Sequence, residues 1–256
     1  MYTEEFAALA DAAKKKWLLL ASNPSGYFIA SMLAGIFVGF GVILAYTLGG
    51  QTAIAPYSKL IMGIAFAVAL SLVMMDGAEL FTGSNLVCFA GVMKKTINIG
   101  QLAKIWLVCY IGNWLGSIIL AIIFILTGLS VGTVGEFIAA TAANKMSAAP
   151  MALLFRAILC NVLVCLAVWS SYRLKSESAK LIMIFWCIFA FFSSGFEHSI
   201  ANMTLFTIAL LAPFEAAVSF SGYLYNLSIV TLGNIIGSVC IVGLPYYLIS
   251  RQKRSA

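Results

Sequence analysis

Gly195-Phe-Glu-His-Ser-Ile-Ala-Asn-Met203 interrupts an otherwise apolar run that extends from residue 181 to residue 211. Asp76-Gly-Ala-Glu-Leu-Phe-Thr-Gly-Ser-Asn85 does the same to the run that opens at residue 60. A glycine, a carboxylate and an asparagine recur in both interruptions. Together they predict helices that enter apolar surroundings, break and resume. Backbone left unpaired at such a break must line a cavity or lie buried in protein.

The surroundings of the two breaks exclude a soluble fold. Of 256 residues 62% are apolar and 9% charged, against about 25% charged in an ordinary soluble domain. A mean hydropathy of +1.03 leaves too little polar surface for a soluble domain, a disordered chain or a secreted disulfide scaffold. The remaining apolar runs, 26–48, 105–126, 150–169 and 223–248, each reach the roughly 20 residues that cross a bilayer. With the two broken runs they make six expected spans. Residues 2–20, ahead of the Asn23-Pro24 breaker, read as an amphipathic helix lying at the membrane surface. The six cysteines show no CxxC spacing and read as small apolar residues, with neither metal nor disulfide implied.

The net charge of +6 follows topology. Twelve of the fifteen basic residues precede the first span, follow the last, or lie between spans 2 and 3 or 4 and 5. The alternate loops hold only Lys59 and Lys145, and Arg156 lies inside span 4. The positive-inside rule places both termini in the cytoplasm. It also removes nucleic acid as a partner, because the charge forms no binding face.

The halves echo one another. Gly77-Ala-Glu79 and Gly195-Phe-Glu197 are matched at the breaks, and Gly112-Asn-Trp-Leu-Gly-Ser117 is matched by Gly233-Asn-Ile-Ile-Gly-Ser238. Glu79 and Glu197 are 118 residues apart, and Gly112 and Gly233 are 121 apart, so one duplication of three spans accounts for both. Three is odd, so the second copy inserts upside down. An inverted repeat with paired broken helices places a site near the midplane. The GxxxG spacings read as small residues that let helices approach.

Charge within hydrocarbon is costly, so Asp76, Glu79, Arg156, Glu197 and His198 are candidates for function. His198, the single histidine, sits in a break, where its N–H could donate to a passing anion and its proton could move near neutral pH. Lys145 has two readings, a solvated loop lysine or a positive lure at a vestibule. Glu79, Glu197 and Arg156 read as braces for the broken helices. Asn113, Asn161 and Asn234 each fit an interhelical bond or a pore lining.

The GFEHSIANM string, Leu80-Phe-Thr82 after Gly77-Ala-Glu79, and Gly233-Asn-Ile-Ile-Gly237 resemble the formate/nitrite transporter family over nearly the whole chain. That resemblance implies an all-α membrane protein with an aquaporin-like 3+3 inverted repeat, assembled as a homopentamer with one pore per protomer in the cell (inner) membrane. By the same resemblance, Lys145 is an anion-attracting lysine and His198 the central pore histidine, faced by Thr82. Phe66, Leu70, Leu80 and Phe191 would form apolar constrictions on either side, and Asn161 and Asn234 would be pore amides. The expected parts are a cytoplasmic helix at 1–22, a channel domain at 23–250 (halves 23–126 and 148–250) and a tail at 251–256. The implied cargo is formate, nitrite or hydrosulfide, without a cofactor and without enzymatic activity.

Three rival classes remain to be weighed. A membrane redox subunit with a bis-histidine haem needs two histidines, and the chain has one. A hydrolase would place Ser199 next to its own histidine without a nucleophile elbow. An aquaporin-like conduit for neutral solutes is left open by the sequence.

Overall fold

The computed structural model describes residues 1–251, so the expected tail beyond that point lies outside the described residues. The described chain is all helical: α1 (Thr3–Ser22), α2 (Pro24–Gln51), α3 (Ser58–Phe66), α4 (Val68–Met75), α5 (Phe81–Met93), α6 (Ile99–Leu126), α7 (Gly132–Met146), α8 (Pro150–Arg173), α9 (Glu177–Ser193), α10 (Ser199–Leu211), α11 (Phe220–Ile236), a π-helical turn (Gly237–Gly243) and α12 (Leu244–Ser250). Five stretches are long and apolar enough to span a bilayer: Pro24–Gln51, Ser58–Met75, Ile99–Leu126, Pro150–Arg173 and Phe220–Ser250. The run expected as a fifth of six spans is divided between α9, of 17 residues, and α10, of 13.

Two helix pairs form the frame, and small residues set their distance. A Cβ at Gly112 of α6 would lie 2.5 Å from Ser31 Cβ of α2, and one at Gly233 of α11 would lie 2.6 Å from Ala157 Cβ of α8. Gly116 and Gly237 face the carbonyls of Met32 and Ile158 in the same way. Backbones this close gain dispersion contacts that a larger side chain would abolish.

α1 departs from the expectation of a helix on the membrane surface. Its stripe of Phe6, Leu9, Ala13 and Leu20 is buried against its own chain, chiefly against α5. The cause is the break. α5 is only 13 residues long, so it leaves apolar surface at that end of the bundle for α1 to cover. Thr3 Oγ1 donates to the Ser250 carbonyl at 3.2 Å, and Thr96 Oγ1 donates to the Ala10 carbonyl at 2.7 Å. Tyr2 packs edge-on against Trp169 at 5.9 Å. The sequence also carries an unexpected helix, α7, in the connection between the halves; its mixed composition hides the periodicity, and its last turn presents Lys145.

Candidate functional site

Each break is made the same way. Gly77 (φ 78°) and Gly195 (φ 74°) turn the chain through the left-handed region, which a Cβ disfavours. Leu80 and His198 then take extended backbone as the N-caps of α5 and α10. One asparagine closes each break. Asn113 Oδ1 accepts from the Phe81 N–H at 2.9 Å, while its Nδ2 donates to the carbonyls of Ser31 (2.7 Å) and Glu79 (2.8 Å). Asn234 Oδ1 accepts from the Ser199 N–H at 3.0 Å, while its Nδ2 donates to the carbonyls of Ala157 (2.8 Å) and Glu197 (3.0 Å). The Glu79 N–H donates to the Ala30 carbonyl at 3.1 Å, and the Glu197 N–H to the Arg156 carbonyl at 3.3 Å. These bonds satisfy backbone that a bilayer interior would leave unpaired.

Each glutamate has a lysine. Glu79 pairs with Lys16 of α1. Glu197 accepts from Lys145 Nζ through both oxygens at 2.9 Å, and Lys145 also donates to Asn202 Oδ1 at 3.2 Å. Asn202 Nδ2 donates to Glu197 Oε2 at 2.7 Å and to Asn226 Oδ1 at 2.9 Å; Asn226 Nδ2 closes the ring on the Lys145 carbonyl at 2.9 Å. Burial works against the charge on Lys145, yet the Glu197 carboxylate holds its pKa above the ordinary lysine value. Lys16 is shifted the same way by the same two causes, with Glu79 as partner.

His198 is 4% exposed. Its Nδ1 accepts from the Ala201 N–H at 3.1 Å, and its Nε2 lies 3.0 Å from Thr82 Oγ1. A neutral imidazole has one donor and one acceptor nitrogen. With Nδ1 accepting, the proton belongs on Nε2, which donates to the Thr82 hydroxyl. The ring stacks on Phe191 at 5.9 Å and 17°, and Phe191 meets Phe66 edge-on at 5.6 Å.

Three cavities share walls along this line. The widest, about 700 Å³, includes Lys59, Lys145, Arg156, Phe192 and Glu197 in its wall. A second of about 20 Å³ runs between Tyr46, Lys145, Phe191, His198 and Asn202. A third of about 10 Å³ lies between Val38, Phe66, Leu70, Leu80, Phe191 and His198. The last is about the size that admits a single water. Lys145 thus borders the first two cavities, and His198 the second and third.

Phe66, Leu70, Leu80 and Phe191 therefore gather around one apolar cavity beside His198. Thr82 meets the histidine directly. Asn161 and Asn234 are fully buried and border none of these cavities. Asn161 Nδ2 donates to the carbonyls of Asn234 (2.7 Å) and Thr82 (3.3 Å) and to Asn85 Oδ1 (3.3 Å), tying the broken helices together, while its Oδ1 is buried without a partner. Arg156 contributes its carbonyl to the brace and leaves its side chain in the wide cavity.

Lys16 and Asn226 were not singled out by the sequence. Asn226 has no local signature. Lys16 does, since it falls three residues after Ala13 and four before Leu20, on the buried stripe of α1. The lysine run around it conceals that placement.

A family profile described as "Formate/nitrite transporter" matches residues 3–248. The chain belongs to the formate/nitrite transporter family. The "Nitrite transporter NirC" of Salmonella typhimurium is 38% identical to it, covering 100% of this chain and 95% of the relative. The "Formate channel FocA" of Escherichia coli is 33% identical, over 95% of this chain and 93% of its own length. Among solved structures, an "FNT family ion channel" superposes with a TM-score of 0.92 at 38% identity, covering 97% of this chain and all of the other. A "Pentameric formate channel with formate bound" superposes with a TM-score of 0.78 at 31% identity, covering 93% of this chain and 98% of the other. A family member of this kind is a multi-pass membrane transporter, and its all-helical fold accords with that.

Proposed function

We propose that this formate/nitrite transporter family member is a channel for small monovalent weak-acid anions, formate, nitrite or hydrosulfide, and not an enzyme. The observation that carries the reading is His198: one polar ring whose Nε2–H faces Thr82 and which borders a cavity of about 10 Å³ otherwise walled by apolar residues.

A bare anion has one donor at most in that cavity to replace its water shell, and desolvating it would cost far more than desolvating a neutral acid. The Nε2–H is the donor available there. An anion arriving from the Lys145 side takes the place of the Thr82 hydroxyl as acceptor, and the developing neutral acid passes between Phe66, Leu70, Leu80 and Phe191. His198 does this best from its neutral state. A second proton on the ring would have to go to Nδ1 and would displace the Ala201 N–H that caps α10. The proton that neutralises the anion therefore travels with it from solution, and the ring orients the pair. Lys16–Glu79 and Lys145–Glu197 hold the helix breaks at the two ends of the path.

The wider assignment follows the family. The chain acts as a homopentamer in the cell (inner) membrane, both termini cytoplasmic, with repeat halves at about 23–126 and 148–250 in opposite orientation. Purified protein in liposomes, assayed for formate, nitrite, hydrosulfide and chloride at two pH values, tests the reading. The weak-acid anions should pass faster at lower pH, chloride should lag, and His198→Ala should alter rate or selectivity. Passage of water or glycerol without any anion would instead support the neutral-solute conduit.

A further inference from the structure

We propose that Lys59 and Arg156, beside the Glu197-paired Lys145, are anion-collecting groups of the wide vestibule, and that the Arg156 fork favours planar two-oxygen anions over hydrosulfide. The proposal rests on the anion-channel reading above and names the residues that would select its cargo at the mouth.

The vestibule of about 700 Å³ holds three cationic side chains, Lys59, Lys145 and Arg156, and one carboxylate, Glu197. Lys145 and Glu197 neutralise each other at 2.9 Å. Among the described residues, neither Lys59 nor Arg156 has an ion-pair partner, and both are exposed. The net positive field of the cavity therefore comes from these two. A low-dielectric wall concentrates such a field and raises the local anion concentration.

The two-fold echo of the structure removes the structural explanation for Arg156. Its carbonyl accepts from the Glu197 N–H at 3.3 Å, and the matched acceptor of the Glu79 N–H, at 3.1 Å, is Ala30. One half thus builds the same brace with a methyl side chain. The fold needs no guanidinium at this place. Chemically, a guanidinium offers two parallel N–H donors to a planar anion with two oxygens. Formate and nitrite fit that fork; hydrosulfide, with one heavy atom, does not. Lys59 adds a point charge.

The test uses full-length protein in liposomes, comparing wild type with Lys59→Gln, Arg156→Gln, the double variant and Arg156→Lys. At an ionic strength of about 0.01 M the double variant should lower nitrite and formate influx about fivefold; near 1 M, where screening reaches about 3 Å, the difference should fall below about twofold. Arg156→Lys should keep the hydrosulfide rate and lose part of the preference for nitrite and formate. A second readout is independent of transport. In a Cys240→Ser background, which removes the exposed native thiol among the described residues, Asn144→Cys places a thiol in the vestibule wall. The ratio of its reaction rates with anionic and cationic methanethiosulfonates should fall severalfold when both cations are removed. An unchanged ratio overturns the proposal, whatever the flux does. A falling ratio in a protein that carries no anion upholds the collecting site and defeats the channel reading instead.

Discussion

At Asn113 and Asn234 a single amide closes three backbone groups at a helix break, and both are fully buried. Asn234→Leu orphans the Ser199 N–H and the Glu197 carbonyl at once, while the Ala157 carbonyl keeps its bond within α8. With each unsatisfied buried group costing about 1–3 kcal/mol, the loss should be about 3 kcal/mol or more, read as a lower melting midpoint in detergent. Lys145→Gln is a sharper case. Glu197, 3% exposed at its side chain, would lose its cation. Breaking a buried pair from one side costs about 3–5 kcal/mol, whereas removing both charges is much milder. Lys145→Gln should therefore lower the melting midpoint more than Lys145→Gln combined with Glu197→Gln. The type of residue at these sites is plain in the sequence; its partner is not. Lys145 reads equally well there as a solvated lysine or as a lure, and only the approach of α7 to the second break shows it spent on Glu197.

The decisive element is α1. Its buried stripe of Phe6, Leu9, Ala13 and Leu20 carries Lys16 inward to Glu79, while Lys14 and Lys15 stay exposed. The three lysines should therefore separate cleanly. Lys14→Gln and Lys15→Gln should stay within about 0.5 kcal/mol of wild type, and Lys16→Gln should lower the melting midpoint by leaving Glu79 without its ion pair. An equal response of all three would mean that α1 does lie free on the bilayer. Helical periodicity made the amphipathic stripe legible, but a stripe faces lipid or protein with the same pattern. What covers it depends on the short α5, a property of a different segment.

Over the whole molecule, exposed large apolar residues such as Ile29, Phe40, Leu107, Phe155 and Trp186 need lipid or neighbouring copies around them. The pentameric reading predicts that native mass measurement in mild detergent returns five chains, and a monomer would refute it. Opposed to this greasy exterior is an interior that narrows from about 700 Å³ to about 10 Å³ beside His198. Such a gradient predicts that flux at fixed total anion rises as pH falls, because the neutral acid pays the smaller desolvation cost.

The sequence by itself determined the membrane class, the position of both helix breaks and the internal echo. Composition and a 118-residue recurrence are properties of the chain and need no coordinates. It also marked His198, the one histidine, as the group to watch. Tertiary structure alone decided the pairings: Lys16 with Glu79, Lys145 with Glu197, Nε2 with Thr82, and the bonds of the Asn161 and Asn234 amides to backbone. Their partners lie from 52 to 116 residues away, apart from the Asn234 contacts to Ser199 at 35 and Glu197 at 37. No local periodicity specifies such contacts. They follow from two glycine-tuned helix crossings, whose closeness brings the breaks together and leaves Lys59 and Arg156 facing the vestibule.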